Sequence, residues 1–320
     1  MNPVTHVLII GGGPAGLGAA LGLGRVCRSA LVFDSQEYRN DGVIAMSNVL
    51  SHDGENPSIF RSRTMEDIMS KYPHVKFMDR KITSATTESS PAGSTAFRLV
   101  DHKGNSWVGK KLLLATGSVD ILPTLPGYRE LWGHNIYHCL FCDGYERRGE
   151  AIGVVGAQAR DVDHLLMAFS FAPKRLVVYT NGEVPDNEET TQHLENARTR
   201  GCSIDTRRIQ RLSKAADGVS VQLHFDDKSS DIMGSLIHHP PTLNRAQALF
   251  DQLGLEIAAE QGGHVNSKSP FGETNIPGCF VAGDTSTRLK IVSVAAASGQ
   301  CFKPSFEFYF SYPDSIVQVC

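Results

Sequence analysis

The stretch "THVLIIGGGPAGLGAALGLGR", residues 5–25, runs from an unbroken apolar segment through three glycines into small and apolar residues. Such a run bounded by glycines predicts a buried strand, then a tight turn, then a helix. Gly11, Gly13 and Gly16 satisfy GxGxxG, with Pro14 and Ala15 inside the loop. The first glycine permits the turn, the second lets a pyrophosphate approach the backbone, and the third lets helix and strand pack closely. "SALVFDS" (29–35) predicts the next strand and ends near Asp34. A carboxylate about 20 residues beyond such a loop takes ribose hydroxyls. Strand, loop, helix and acid together predict an adenine-dinucleotide site.

Working outward, "NPSIFRSRTMEDIMSKY" (56–72) has a helical pattern, with Ile59, Met65, Ile68 and Met69 expected toward a core. "VKFMD", "AFRLVD" and "SWVGKKLLLATG" predict strands, separated by the turn segments "PAGSTA" and "HKGN". A second strand–turn–helix unit opens at "AIGVVGAQARDVDHLLMAFSF" (151–171), followed by the strand "RLVVYTNG" (175–182). "ETTQHLENARTRG" (189–201) predicts a helix ending at Gly201, and "TNIPGCFVAGD" (274–284) a turn and short strand before the helix that starts in "IVSVAAASGQ". Alternating strands and helices predict an α/β protein with parallel sheets covered on both faces. The duplicated opening predicts two Rossmann-like dinucleotide-binding domains, the second inserted in the first.

The 320 residues have room for two ordinary domains. A net charge of −3 leaves no basic field for nucleic acid or an anionic membrane surface, so neither partner is expected. No apolar run approaches the ~18 residues of a membrane-spanning helix. The start "MNPVTHVLII" lacks the basic region and cleavage site of a signal peptide, and cytoplasmic residence is the expectation.

The two glycine loops are not equal. In "GVVGAQARD", counting from Gly156, Gln158 replaces the second glycine and Asp161 the third small residue. Gln158 would intrude where a pyrophosphate must touch backbone, and Asp161 puts negative charge at a helix N-terminus, although an aspartate is also an ordinary helix cap there. The following "VVYTNGEVPDNEE" carries no arginine cluster for a 2′-phosphate. This domain is expected to keep its fold and to have lost, or nearly lost, NADPH binding.

"HCLFCDGYE" (138–146) holds Cys139 and Cys142, the one close pair among seven cysteines. A zinc site would want a second CxxC or a CxxH, and a secreted disulfide framework does not suit so long a chain. The pair therefore reads as redox-active, and no metal is expected. Forming thiolates near neutral pH needs a base or a positive field. His138 precedes the pair, Asp143 follows it, and His238 and His239 stand where the first domain should resume. Any of these is a candidate, and for each histidine a structural role is the competing reading. His52 and Asp53 lie in a loop expected near the cofactor.

"IIGGGPAG", "LLLATGS", "CxxCDG" and "IPGCFVAGD" occur in this order across nearly the whole chain, and the set resembles low-molecular-weight thioredoxin reductases. That resemblance implies bound FAD, with Asp284 on its ribityl chain and Ala115, Thr116 and Gly117 closing its site. Ile291 and Val292, continuing to Ser293, would present a helix N-terminus to the flavin. Arg39 and Asn40 would face the flavin or the substrate, with a solvated loop the alternative for Arg39. It also implies domains at 1–120 (FAD-binding, first part), 121–238 (degenerate NADPH-binding-like, carrying CxxC) and 239–320 (FAD-binding, second part), and a homodimer.

"FDSQEYRN", "LSHDG", "CLFCDGYE" and "IMGSLIHHPPT" are similar to the gliotoxin-type (epidithiodiketopiperazine) dithiol oxidases of fungal secondary metabolism. That branch uses FAD and a CxxC to close a disulfide in a small-molecule dithiol, with O₂ as electron acceptor and H₂O₂ as product. It implies Cys139 for exchange and Cys142 on the flavin side. An NADPH-dependent thioredoxin reductase and a non-catalytic flavoprotein paralogue are the alternatives. One departure stands out: where the family continues as an alanine-rich helix, this chain reads "CFKPSFEFYFSYPDSIVQVC" (301–320). No catalytic role is assigned there to Cys301 or Cys320.

Overall fold

In the computed structural model, residues 5–89, 95–156, 165–182, 187–258 and 263–302 are described. The chain divides into two units. The first comprises Met1–Asp41, Asn56–Val119 and Thr242–Cys320, and the second Gly42–Glu55 and Asp120–Pro241. The short segment Gly42–Glu55 thus joins the second unit, an assignment that its sequence does not suggest.

The first unit is built on β1 (Thr5–Ile10), whose Val7, Leu8 and Ile9 are almost fully buried. Burial of successive residues on both faces is what a central parallel strand requires. β1 pairs in parallel with β2 (Ala30–Asp34) on one side and β6 (Ser106–Leu114) on the other. β2 pairs in parallel with β3 (Val75–Asp79), while β4 (Ile82–Ser89) and β5 (Thr95–Asp101) continue beyond β6 as an antiparallel hairpin. The strand Cys279–Val281 adds in parallel to the C-terminal half of β6. This is the order 3-2-1-6 of a dinucleotide fold with a hairpin at its edge.

Helix α1 (Pro14–Arg25) follows β1, and α2 (Pro57–Lys71) precedes β3. The glycines of α1 lower its intrinsic helicity by about 1 kcal/mol each relative to alanine. Packing explains them: a Cβ at Gly18 would strike the Ala296 carbonyl, and one at Gly299 would strike the Ala15 carbonyl. The helix Val292–Gln300 therefore lies almost backbone to backbone against α1. On α2 the expected apolar face is narrower than its sequence suggests. Ile68 is buried and Met65 packs on the core, but Ile59 and Met69 are exposed. Ile59 stands nine residues before Ile68, about two and a half turns, which puts it on the opposite side of the helix.

The second unit holds a parallel sheet of the strands Ser203–Asp205, Arg175–Tyr179, Ala151–Val155, Ser235–Ile237 and Ile136–Tyr137, in that order. An antiparallel sheet of Ile209–Lys214, Val221–Phe225 and Ser230–Met233 completes it. The helix Glu188–Thr199 starts at Asn187, whose side chain accepts the Thr190 N–H at 2.8 Å. It ends just before Gly201, which is left-handed at φ +89°. Two Rossmann-like units are therefore present.

Of the divergent C-terminal segment, Cys301 and Phe302 are described. Phe302 is buried and meets the Phe280 ring edge-on at 4.9 Å. Residues 303–320, with Cys320, lie outside the described residues, as do Gln158 and Asp161 and most of the "PAGSTA" turn.

Candidate active site and cofactor cradle

The cradle of the first unit forms where β1 ends. The Gly11 N–H donates to the Phe33 carbonyl at 2.8 Å, and its φ of +114° is open only to glycine. A Cβ there would run into the Ala115 carbonyl, so the glycine turn and the segment Ala115–Thr116–Gly117 close on each other. Gly13 caps α1, and a Cβ built on it meets nothing within 4 Å. Open space over a helix N-terminus suits a pyrophosphate, because unpaired N–H groups and the helix dipole both favour anions. Pro14 takes the first helical position, where its missing N–H costs no bond. Ala15 and Gly16 are buried beneath the loop.

Asp34 ends β2, and its carboxylate accepts the Gln36 N–H at 3.2 Å and the Tyr38 hydroxyl. Burial and the Asp34 carboxylate push the Tyr38 phenol well above its ordinary range, so it remains a donor. The Arg61 guanidinium lies 3.5 Å over the Tyr38 ring and donates to the Asn40 side-chain carbonyl at 3.4 Å. Arg39 reaches Asp284 at 3.8 Å, both side chains largely buried. Asp284 also accepts the Ser118 hydroxyl at 2.9 Å, and the neighbouring Thr285 hydroxyl accepts the Gly117 N–H at 3.0 Å. Ile291 caps the helix Val292–Gln300, and its carbonyl accepts the Ala295 N–H at 3.0 Å. The turn, the open helix end and the acid fit a flavin dinucleotide. Sequence reasoning missed Tyr38, Arg61, Ser118 and Thr285. Tyr38 offered one signal, standing four residues past the acid.

The second unit repeats the backbone of this cradle with different side chains. The Gly156 N–H donates to the Tyr179 carbonyl at 2.9 Å and its φ is +117°, matching Gly11. The residue in the place of Asp34 is then Thr180, which is 4% exposed and has a hydroxyl with no partner among the described residues. Asn181 turns its side-chain carbonyl to the Ile209 N–H at 2.8 Å. Arg207 is held by Asp205, and Arg208 lies against Gly182.

Also in the second unit, Cys139 and Cys142 form a disulfide with Cα atoms 5.3 Å apart. They bracket the short helix Leu140–Asp143, whose Leu140 is buried and anchors the turn while Phe141 is 72% exposed. Both cysteines are half-buried. The Asp143 carboxyl is pushed up to about 6, by burial first and then by the Glu146 carboxylate, with Arg147 opposing. A carboxyl there can take and return a proton near neutral pH.

His138 stacks on Trp132, ring centroids 5.7 Å apart. His238 stands at the end of the neighbouring parallel strand, in register with it: Ile237 pairs with Tyr137, and the His238 N–H donates to the Tyr137 carbonyl at 2.9 Å. The Tyr128 hydroxyl lies 2.6 Å from His238 Nδ1. His239, one residue on, is half-buried. The structure thus brings His138, Cys139, Cys142, Asp143 and His238 to one end of one sheet. In the segment Gly42–Glu55, His52 pairs with Glu55 at 2.6 Å and Asp53 accepts the Asn48 N–H at 2.6 Å.

Three comparisons bear on this arrangement. The family profile described as pyridine nucleotide-disulphide oxidoreductase matches residues 5–299. The chain is 38% identical over 308 residues to Thioredoxin reductase aclD of Aspergillus oryzae, covering 93% of each protein. It is 36% identical over 302 residues to Thioredoxin reductase tcpT of Claviceps purpurea, covering 92% of this chain and 91% of that one. Among solved structures, an oxidoreductase from Agrobacterium tumefaciens superposes with a TM-score of 0.82 at 27% identity, covering 93% of this chain and 95% of that one. No helix among the described residues is long and apolar enough to cross a membrane.

Proposed function

The chain belongs to the pyridine nucleotide-disulphide oxidoreductase family and is an FAD-dependent oxidoreductase, and from that premise we propose that it is a cytosolic dithiol oxidase. Its substrate is a small-molecule dithiol of the epidithiodiketopiperazine kind, which leaves as an intramolecular disulfide. Gly11, Gly13, Asp34, Arg39, Ala115–Gly117 and Asp284 would hold FAD, with Tyr38 and Ser118 bonded to its acids. The chemistry FAD supplies when bound is two-electron transfer from the reduced cysteine pair to O₂, giving H₂O₂.

The cysteine chemistry is thiol–disulfide exchange. A substrate thiolate attacks Cys139 Sγ and Cys142 Sγ leaves; the second substrate thiol then displaces Cys139. His138, which directly precedes Cys139 in the chain, serves as base for the first substrate thiol, and the Asp143 carboxylate takes the proton of the second and passes it to the Cys142 thiolate. The family pattern supports a homodimer as the working form.

One observation carries the choice of an oxidase over an NADPH-dependent reductase: what stands at the end of the strand Arg175–Tyr179. Thr180 is buried and Asn181 is spent on the Ile209 N–H. Neither supplies the carboxylate for a ribose or the cation for a 2′-phosphate. The sequence of the separate glycine loop adds a bulky amide at Gln158 and a negative charge at Asp161.

Anaerobic bleaching of the bound flavin tests this. A small dithiol such as dithiothreitol should bleach it rapidly and NADPH should not; rapid bleaching by NADPH alone makes the protein a reductase. Cys139→Ser and Cys142→Ser should each abolish dithiol-dependent O₂ uptake while FAD stays bound.

A further inference from the structure

We infer that Trp132 is a positioning residue for His138, clamping the imidazole beside Cys139 so that it can take the proton of an incoming thiol. Tyr128, itself held by His238, stacks on the indole. The inference rests on the reading above in one respect: Cys139–Cys142 is taken as the exchange disulfide.

The observation is a closed ring of contacts. His138 and Trp132 stack at 5.7 Å with planes 24° apart, and Trp132 and Tyr128 stack at 5.8 Å and 22°. Both pairs lie within the separation of offset stacking. Tyr128 is 2% exposed and meets the His238 ring edge-on at 5.6 Å, with its hydroxyl 2.6 Å from Nδ1. His238 is fixed in turn by its backbone bond to the Tyr137 carbonyl, one residue before His138. The chain of contacts thus leaves the strand at Tyr137, passes through His238, Tyr128 and Trp132, and returns at His138.

Each member has a separate mechanical task. Tyr128 is the anchor, since burial pushes its phenol far above the ordinary range and keeps its hydroxyl available for the histidine. Trp132 is the plate, tied to the anchor by its N–H to the Tyr128 carbonyl at 3.1 Å. His138 is the piece held. An imidazole beside a reactive sulfur must present one nitrogen in one direction, and about 1 Å of misplacement costs a proton transfer roughly a hundredfold. An aromatic face also attracts the imidazolium formed once the proton has moved.

The step served is balanced within the site. His138 takes the proton of the first substrate thiol, and the thiolate attacks Cys139 Sγ. The Cys139–Cys142 bond breaks and Cys142 carries away the electron pair. The second substrate thiol loses its proton and closes the substrate disulfide, releasing Cys139 as thiolate. Two electrons pass from the dithiol to the cysteine pair, and the two protons remain on His138 and on the reduced pair.

The test uses the whole flavoprotein without O₂, dithiothreitol as the dithiol, and acid-quenched thiol labelling read by mass spectrometry. That readout follows the cysteine pair and does not depend on which acceptor empties it. Trp132→Leu should slow exchange about ten- to a hundredfold, mainly in kcat with KM little changed, and Trp132→Phe should recover most of the rate. His138→Ala should lose as much, and the double variant should lose no more than either single one, because the two act as a unit. Trp132→Leu at the wild-type rate, or losses that multiply in the double variant, would overturn the inference. If Trp132→Leu does not fold, Tyr128→Phe removes only the hydroxyl and should give a smaller loss. In NMR the His138 ring protons should lie upfield in the wild type, shifted by the indole ring current, and an unshifted resonance overturns the clamp. Exchange that persists in Cys139→Ser sinks the exchange-disulfide reading itself, whatever Trp132 does.

Discussion

Asp143 follows Cys142 directly, and the fold drives its carboxyl up to about 6 by burial and by the Glu146 carboxylate. An ordinary aspartate ionises near pH 4 in the unfolded chain. The folded form therefore holds its proton more tightly, and the stability linked to that proton is fully present below about pH 4. It is lost as the pH rises through about 6. Asp143→Asn removes this dependence. Urea unfolding midpoints of the two proteins should be close at pH 4, diverge up to about pH 6 in favour of the asparagine variant, and stay parallel above. A midpoint difference that does not vary with pH would show that Asp143 ionises normally. Exchange that uses the carboxylate to accept a proton should rise through the same window and lose that limb in Asp143→Asn. None of this could be read from "CDGYE", which shows an acid beside a cysteine pair but not its burial.

At the scale of elements, the pairing of α1 with the helix Val292–Gln300 decides whether the cradle holds. Gly299 and Gly18 permit that approach, because a Cβ on either would meet a carbonyl of the opposite helix. Gly299→Ala should cost about 1–3 kcal/mol by overpacking and weaken FAD retention, since the displaced helix begins at Ile291. Gly22 is the internal control: its nearest neighbour to a new Cβ is the Gln300 carbonyl at 3.9 Å. Gly22→Ala should stabilise by about 0.5–1 kcal/mol, through helix propensity and a less free unfolded chain. Thermal unfolding of both variants, with flavin content by absorbance, checks the pair; equal shifts in the same direction would refute close helix contact. The helices themselves were legible. α2 was less so, because helical periodicity names an apolar stripe without saying how wide a face the neighbours will cover, and Ile59 and Met69 fell outside it.

At the scale of the whole molecule, the chain carries one nucleotide fold with its acid in place and another in which Thr180 has replaced it. On the proposed reading, FAD binds the folded first unit and not the unfolded chain. Its removal should therefore cost about 2.7 kcal/mol when free FAD stands at a hundred times its Kd. Hydrogen exchange of flavin-free and reloaded protein should show protection gained in β1, β2, β6 and α1. Protection that appears instead at Gly156 and Thr180 would put the dinucleotide in the second fold.

Local chemistry made the strand–glycine–helix opening, the acid at Asp34, the altered residue spacing of the second glycine loop and the CxxC pair readable, because each depends on residues close in the chain. Backbone geometry at Gly11 and the reach from loop to next strand are short-range matters. Tertiary structure alone decided what those residues touch. Tyr38 occupies the Asp34 carboxylate, Arg39 reaches Asp284 across 245 positions of chain (284 − 39), and His238 rather than His239 stands in register with His138. Strand register and ring stacking depend on which distant strands pair, and no periodicity within a strand records its neighbour.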